Sequence, residues 1–181
     1  MKLLLLRHEE RGINPGFFSE LTNNGVVNSC LIPDLLNKFN IDVVFSSPFL
    51  RTLETIYQYS KKYDKKVNVD YGLYEYIHNI YFKINNWYYT VDDIEDEELK
   101  SIVNRQYVSI VNKNDFEILE NEKSLEKRII KFFNYLISNY YNKTVLLVSH
   151  KGVINKIKDL YVKKTNIDDE FEMGAIEFYN I

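Results

Sequence analysis

The chain predicts an α/β fold, a mainly parallel central sheet with helices on both faces, and three observations carry that expectation. Leu3 to Leu6, Val43 to Phe45 and Val145 to Val148 are short runs that are apolar at every position. Strands buried on both faces of a parallel sheet have this pattern. Each run gives way to polar residues, and each is followed by apolar residues at helical spacing. Strand then helix, repeated, builds a three-layer α/β/α arrangement.

The first run stops at Arg7-His8-Glu9-Glu10-Arg11, too early for a signal-peptide core or a membrane span, so it reads as a buried strand. After Thr22 come Val26, Val27, Leu31, Leu35 and Leu36, a helical pattern that contains Cys30 as a small core residue. The second strand follows the polar break at Asn40 and Asp42, and Leu50, Leu53, Ile56 and Tyr57 continue as a helix beyond Ser47-Pro48. Val67 to Val69 is a short strand. Residues 71–121 then turn to Tyr, Asn and acidic residues without a long apolar run, with a helix expected over Asp92–Val103. This stretch reads as an insertion. Sites in open α/β sheets gather outside the carboxyl ends of the strands, so the insertion is expected to act as a lid. Ser124 is the expected N-cap of a helix through Leu125, Ile129, Phe132, Phe133, Leu136 and Ile137. The third run leads into Val153, Ile154, Ile157, Leu160 and Tyr161, and Ala175 to Tyr179 closes the chain as a strand.

At 181 residues, with 45% hydrophobic and 27% charged residues, the chain reads as one globular domain over 1–181. A net charge of −3 gives no general attraction to a phosphate backbone or an anionic membrane, so neither nucleic acid nor membrane is an expected partner. Cys30 is the only cysteine, and His8, His78 and His150 form no zinc-spaced cluster with it. A reducing, cytoplasmic setting without metal or other cofactor is therefore expected, as a monomer or homodimer. The abundance of Asn, Ile, Lys and Tyr reads as a compositional bias of the gene. Trp87, Tyr88 and Tyr89 are accordingly expected to pack rather than to stack on a ligand.

The first strand ends in Arg7-His8, the second in Ser46-Ser47-Pro48 with Arg51 one helical turn on, and the third in Ser149-His150. The topology thus brings two arginines and two histidines to one sheet edge. Phosphoryl transfer needs cationic donors around the nonbridging oxygens, an in-line nucleophile and an acid for the leaving oxygen. Guanidinium forks suit phosphate oxygens, and a neutral imidazole can attack phosphorus through one nitrogen while the other is held by a hydrogen bond.

In these residues the chain resembles the histidine phosphatase superfamily, also called phosphoglycerate mutase-like. Arg7-His8 match the family's opening Arg-His-Gly, with Glu9 in place of Gly. Leu21-Thr22-Asn23-Asn24-Gly25 match its Leu-Thr-x-x-Gly, Ser46 to Thr55 its Ser-Ser-Pro-x-x-Arg-x-x-x-Thr, and Ser149-His150-Lys151-Gly152 its Ser-His-x-Gly. The resemblance implies that His8 is the nucleophile and that Arg7, Asn14, Arg51 and His150 hold the phosphoryl group of a small phosphorylated substrate. Leu73-Tyr74-Glu75 matches the family's Leu-x-Glu and makes Glu75 the implied general acid, with Asp70, Glu10 or an insertion residue as alternatives. Glu10 and Arg11 fall where members contact substrate or salt-bridge at the pocket mouth, and Lys151 is a further substrate-side candidate. The implied activity is a metal-independent phosphatase, with a mutase-type phosphotransferase or a silent phosphate-binding module as alternatives. Glu9 bears on the last of these, because a carboxylate beside the nucleophile could crowd or repel phosphate.

Overall fold

The computed structural model describes residues 1–77, 89–112, 115 and 120–181. Five strands form one sheet in the order β3-β2-β4-β1-β5: β1 Lys2–Arg7, β2 Val43–Ser46, β3 Val67–Val69, β4 Thr144–Ser149 and β5 Ile176–Asn180. β1, β2, β3 and β4 run parallel, and β5 lies antiparallel on β1. The three apolar runs are the three central strands, and Leu3 to Leu6 and Val145 to Val148 are fully buried. At about 1.5–3 kcal/mol for each large side chain removed from water, they anchor the fold.

Alternation along the strands divides the core into two layers. Leu4, Leu6, Val44, Leu146 and Val148 face one way, with Ile32, Leu36, Leu53 and Ile56, which come from α2 (Ile32–Leu36) and α3 (Leu50–Tyr63). α1 (Asn23–Ser29) packs on α3 on this side. Leu3, Leu5, Phe45, Val145 and Leu147 face the other way and meet Leu125, Ile129, Phe132, Val153 and Ile157. Those residues belong to two further helices, Glu122–Tyr140 and Lys151–Tyr161. The three-layer expectation is met. No helix among the described residues is long and apolar enough to cross a membrane.

Three local expectations are corrected. Val26, Val27, Leu31 and Leu35 are exposed, as is Cys30. Their single helical pattern splits into α1 and α2 around Leu31, with Pro33 in the first turn of α2, and periodicity alone cannot say which side is covered. In place of one helix over Asp92–Val103 there are a 3-10 turn, Val91–Asp93, and α4, Glu97–Lys100. Thr90 and Asp96 each cap their own segment, and such caps start a new helix rather than continue an old one. The helix ahead of β4, α5 (Glu122–Tyr140), is capped by Asn121, with Ser124 at N3 completing the capping box.

Part of the inserted segment is built into the body. Val91, Ile94, Leu99, Ile102 and Val103 are buried in the α3-side layer, and Val103 bridges Val67 alongside β3. His78, Trp87 and Tyr88 lie outside the described residues, while Tyr89 packs edge-on to Phe18 at 4.5 Å.

Candidate active site

Strand register assembles the site. Arg7 of β1 is level with Ser149 of β4, and Ser46 of β2 with Val148. The next residue of each strand therefore leaves the sheet beside its neighbours: the His8 N–H donates to the Ser149 carbonyl at 3.0 Å and the Ser47 N–H to the Val148 carbonyl at 3.0 Å. This places the His8 and His150 rings 5.2 Å apart. Arg51, in the first turn of α3, points inward and is fully buried. His150 caps α6 (Lys151–Tyr161) with extended backbone, so the positive end of that helix dipole faces the same edge.

His8 Nδ1 lies 2.7 Å from the Glu9 carbonyl. A carbonyl only accepts, so Nδ1 carries the proton and the neutral ring keeps its lone pair on Nε2. Burial pushes His8 well below the ordinary histidine value, with the Arg51 charge adding to the effect and the bond to the Glu9 carbonyl opposing it. His150 is depressed for the same first two reasons. Its Nδ1 sits 3.1 Å from Arg51 Nη2, a donor, so Nε2–H of the neutral ring donates to Ser47 Oγ at 2.8 Å.

Arg51 Nη1 donates to the Gly16 carbonyl at 2.9 Å, and its guanidinium lies 4.4 Å from the centre of the Phe49 ring. Burial brings it down to about 10, with the Glu75 charge opposing, and it stays a cation at neutral pH. Arg7 donates to the Phe171 carbonyl. Both arginines retain a buried Nε–H without a hydrogen-bond partner among the described residues. Buried donors are rarely left so, and here both belong to arginines whose charges reach the His8 ring. Glu75 Oε2 is 3.2 Å from Arg51 Nη2 and 3.3 Å from His150 Nδ1, and Oε1 accepts from the Tyr76 N–H at 3.0 Å. Its charge also reaches Arg7 and Arg11.

Of the remaining sequence candidates, Asp70 is held apart, accepting from Tyr107 Oη at 2.6 Å and from the Ile110 and Gly72 N–H groups at 2.7 Å. Glu10 is occupied by the Thr22 hydroxyl at 2.6 Å. Arg11 is half-buried and donates to its own loop at the Gly12 carbonyl, 2.6 Å away. Asn14 lies exposed on that loop, without a hydrogen bond among the described residues. Lys151 Nζ reaches Glu170 at 3.7 Å. The Glu9 side chain turns from the arginines toward Asn28, whose Nδ2 is 3.5 Å away. It packs on Gly174, at φ +74°, where a Cβ would stand 2.2 Å from Glu9 Oε1. Burial raises Glu9.

Sequence reasoning missed Ser47 as the partner of His150, and Thr55, whose Oγ accepts from the Glu9 N–H at 2.9 Å. Both lie inside the Ser46 to Thr55 block, which is the signal that could have found them. It also missed that the ligand atoms of His8, Glu75 and His150 lie within 4.8 Å of one another, a spacing open to a metal ion. Arg51, 3.1 Å from one of these groups and 3.2 Å from another, opposes a cation there by charge. The site favours an anion.

Cationic donors packed around a neutral imidazole, with a carboxylate at hand, suit a phosphoryl-transfer enzyme. The chain matches the histidine phosphatase superfamily (branch 1) over residues 6–166, and it belongs to that family, as a phosphoric monoester hydrolase. It is 24% identical to phosphoserine phosphatase 1 of Hydrogenobacter thermophilus over 163 residues, covering 83% of this chain and 71% of the relative. Among solved structures it is similar to the ecdysone phosphate phosphatase of Bombyx mori in complex with tungstate, at 16% identity and TM-score 0.66, covering 98% of this chain and 88% of that one. A phosphoserine phosphatase variant of Entamoeba histolytica in complex with phosphoserine aligns with TM-score 0.64 and 21% identity over 98% and 89% of the two chains.

Proposed function

We propose that the chain hydrolyses small phosphomonoesters through a phosphohistidine on His8, without a metal. The observation that carries this reading is the fixed tautomer of His8: with Nδ1–H held by the Glu9 carbonyl, the free lone pair is on Nε2, and burial keeps the ring neutral. Nε2 attacks phosphorus as the bond to the ester oxygen breaks, and Glu75 gives that oxygen a proton. The resulting carboxylate then takes a proton from water, whose oxygen attacks the phosphorus, and inorganic phosphate leaves as the P–N bond breaks. Arg7 and Arg51 hold the nonbridging oxygens, joined by His150 once its Nδ1 takes a proton beside the dianion, with Asn14 a further donor once an anion is present. Arg11 and Lys151 meet the rest of the substrate. Relatives named for phosphoserine and for ecdysone phosphate have a phosphate group in common, which supports reading that group as what is recognised.

The orientation of Glu9 favours catalysis over a silent binding module, since its carboxylate packs on Gly174 rather than against the arginines. The experiment is turnover of p-nitrophenyl phosphate and a panel of phosphorylated metabolites by wild type and His8→Ala, with EDTA throughout. Activity that survives EDTA and is lost in the variant is expected, together with an alkali-stable, acid-labile phosphoenzyme after a denaturing quench. An inactive wild type, or equal activity in the variant, refutes the reading.

A further inference from the structure

We propose that Arg128 and Glu120 form a buried clamp that positions Glu75 for proton transfer, which makes them positioning residues rather than catalytic ones. The inference rests on the reading of Glu75 as the acid. Arg128 interrupts the apolar stripe of α5 between Leu125 and Phe132, and it is 1% exposed; Glu120 is 3% exposed. The two meet as a bidentate pair, Nε to Oε1 at 2.5 Å and Nη2 to Oε2 at 2.8 Å.

The fork also reaches one short stretch of main chain. Nη1 donates to the Gly72 carbonyl at 2.8 Å, and Nη2 to the Tyr74 carbonyl at 2.9 Å and the Glu75 carbonyl at 3.3 Å. The Glu120 N–H continues the contact by donating to the Ile77 carbonyl at 3.0 Å. After the 3-10 turn Tyr71–Leu73 this stretch has neither strand nor helix of its own, so its carbonyls need outside donors. A guanidinium supplies several in a fixed plane, which an ammonium cannot.

Stability alone does not account for the pair, because hydrophobic residues of similar volume commonly replace a buried ion pair at no loss. Its contacts point to geometry instead. Gly72 is pressed against Phe132, where a Cβ would stand 2.7 Å from the Phe132 Cβ. The Leu73 carbonyl accepts from Ser149 Oγ at 2.8 Å, one residue before His150. α5 and β4 thus hold the backbone of the acid in register with the histidines, and a misplacement of about 1 Å at a reacting group can cost about 100-fold in rate.

The test uses two substrates alike in shape, phenyl phosphate, whose basic leaving group needs a proton, and p-nitrophenyl phosphate, whose leaving group departs without one. kcat/KM reports steps up to phosphoenzyme formation, and the ratio of the two values is unaffected by any inactive fraction. Arg128→Lys and the milder Glu120→Gln are expected to lose about 30-fold or more on phenyl phosphate and less than about threefold on p-nitrophenyl phosphate, tracking Glu75→Gln. Equal factors on both substrates, or no loss, in the two clamp variants overturn the clamp while Glu75→Gln remains selective. Equal factors in Glu75→Gln itself overturn the acid assignment and the clamp together.

Discussion

Replacing Arg51 by Met removes the charge from the site while keeping an apolar stem beside Phe49. In the free protein its guanidinium donates to the Gly16 carbonyl at 2.9 Å, to His150 Nδ1 at 3.1 Å and to Glu75 at 3.2 Å. The Gly16 bond locks the fork, leaving Nη2 and the unpartnered Nε to serve two phosphoryl oxygens. Two charge-assisted hydrogen bonds at about 1.5–3 kcal/mol each amount to about 3–6 kcal/mol. At about 1.4 kcal/mol per decade, kcat/KM should fall roughly 10²–10⁴-fold. A misfolded variant would also be slow, so the decisive readout is the pH profile of kcat/KM. The Arg51 cation lowers both histidines, and its removal lets His8 take a proton at higher pH, which silences the nucleophile. The acid limb is therefore expected to move to higher pH in Arg51→Met. A loss under tenfold, or a limb that stays or moves down, refutes the placement of Arg51 beside both the phosphoryl group and the nucleophile.

The two buried ionisations give further expectations, both read by thermal unfolding against pH. His8 in the fold lies below its unfolded value of 6.5, so below that pH the unfolded chain gains protons that the fold refuses. Stability present above 6.5 is lost as pH falls toward the folded value, and His8→Asn is expected to flatten that fall between about pH 7 and pH 5; an unchanged slope would argue against a neutral buried ring. Glu9 is shifted up from 4.5, so its stabilising contribution is complete below 4.5 and is lost as pH rises through the folded value. Glu9→Gln is expected to raise the Tm at neutral pH, with the gain vanishing toward pH 4.5; a gain equal at both pH values would contradict the burial of that carboxylate.

The central strands were legible because burial on both faces leaves no polar position to confuse with a helix, as in Leu3 to Leu6. Their parallel pairing followed from the intervening helices. Arg7, His8, Arg51 and His150 were legible for a related reason: each sits within a few residues of the carboxyl end of a strand, so the topology alone brings them together. Asn121 in place of Ser124 as the cap of α5, and the exposure of Val26 and Leu31, were not legible, since they depend on the path of the backbone rather than on residue type. Arg128 lies more than fifty positions from the carbonyls it holds, and only its charge within the apolar stripe of α5 hinted at a buried partner.

The two carboxylates beside His8 show how the fold resolves the conflict that Glu9 raised. Like charge near a phosphoryl dianion is harmful only where the two share a site. Glu9 is buried but directed at Asn28 and Gly174, and burial is the main cause of its raised pKa. Glu75 is directed at Arg51 and His150, where the phosphoryl oxygens are expected to bind, so an arriving phosphoryl group must displace it from both. In the proposed mechanism the displaced carboxyl stays tethered through its main chain by Arg128, close to the ester oxygen that needs a proton. On the proposed reading, phosphate binding and placement of the acid become one event, and neither calls for a glycine at position 9.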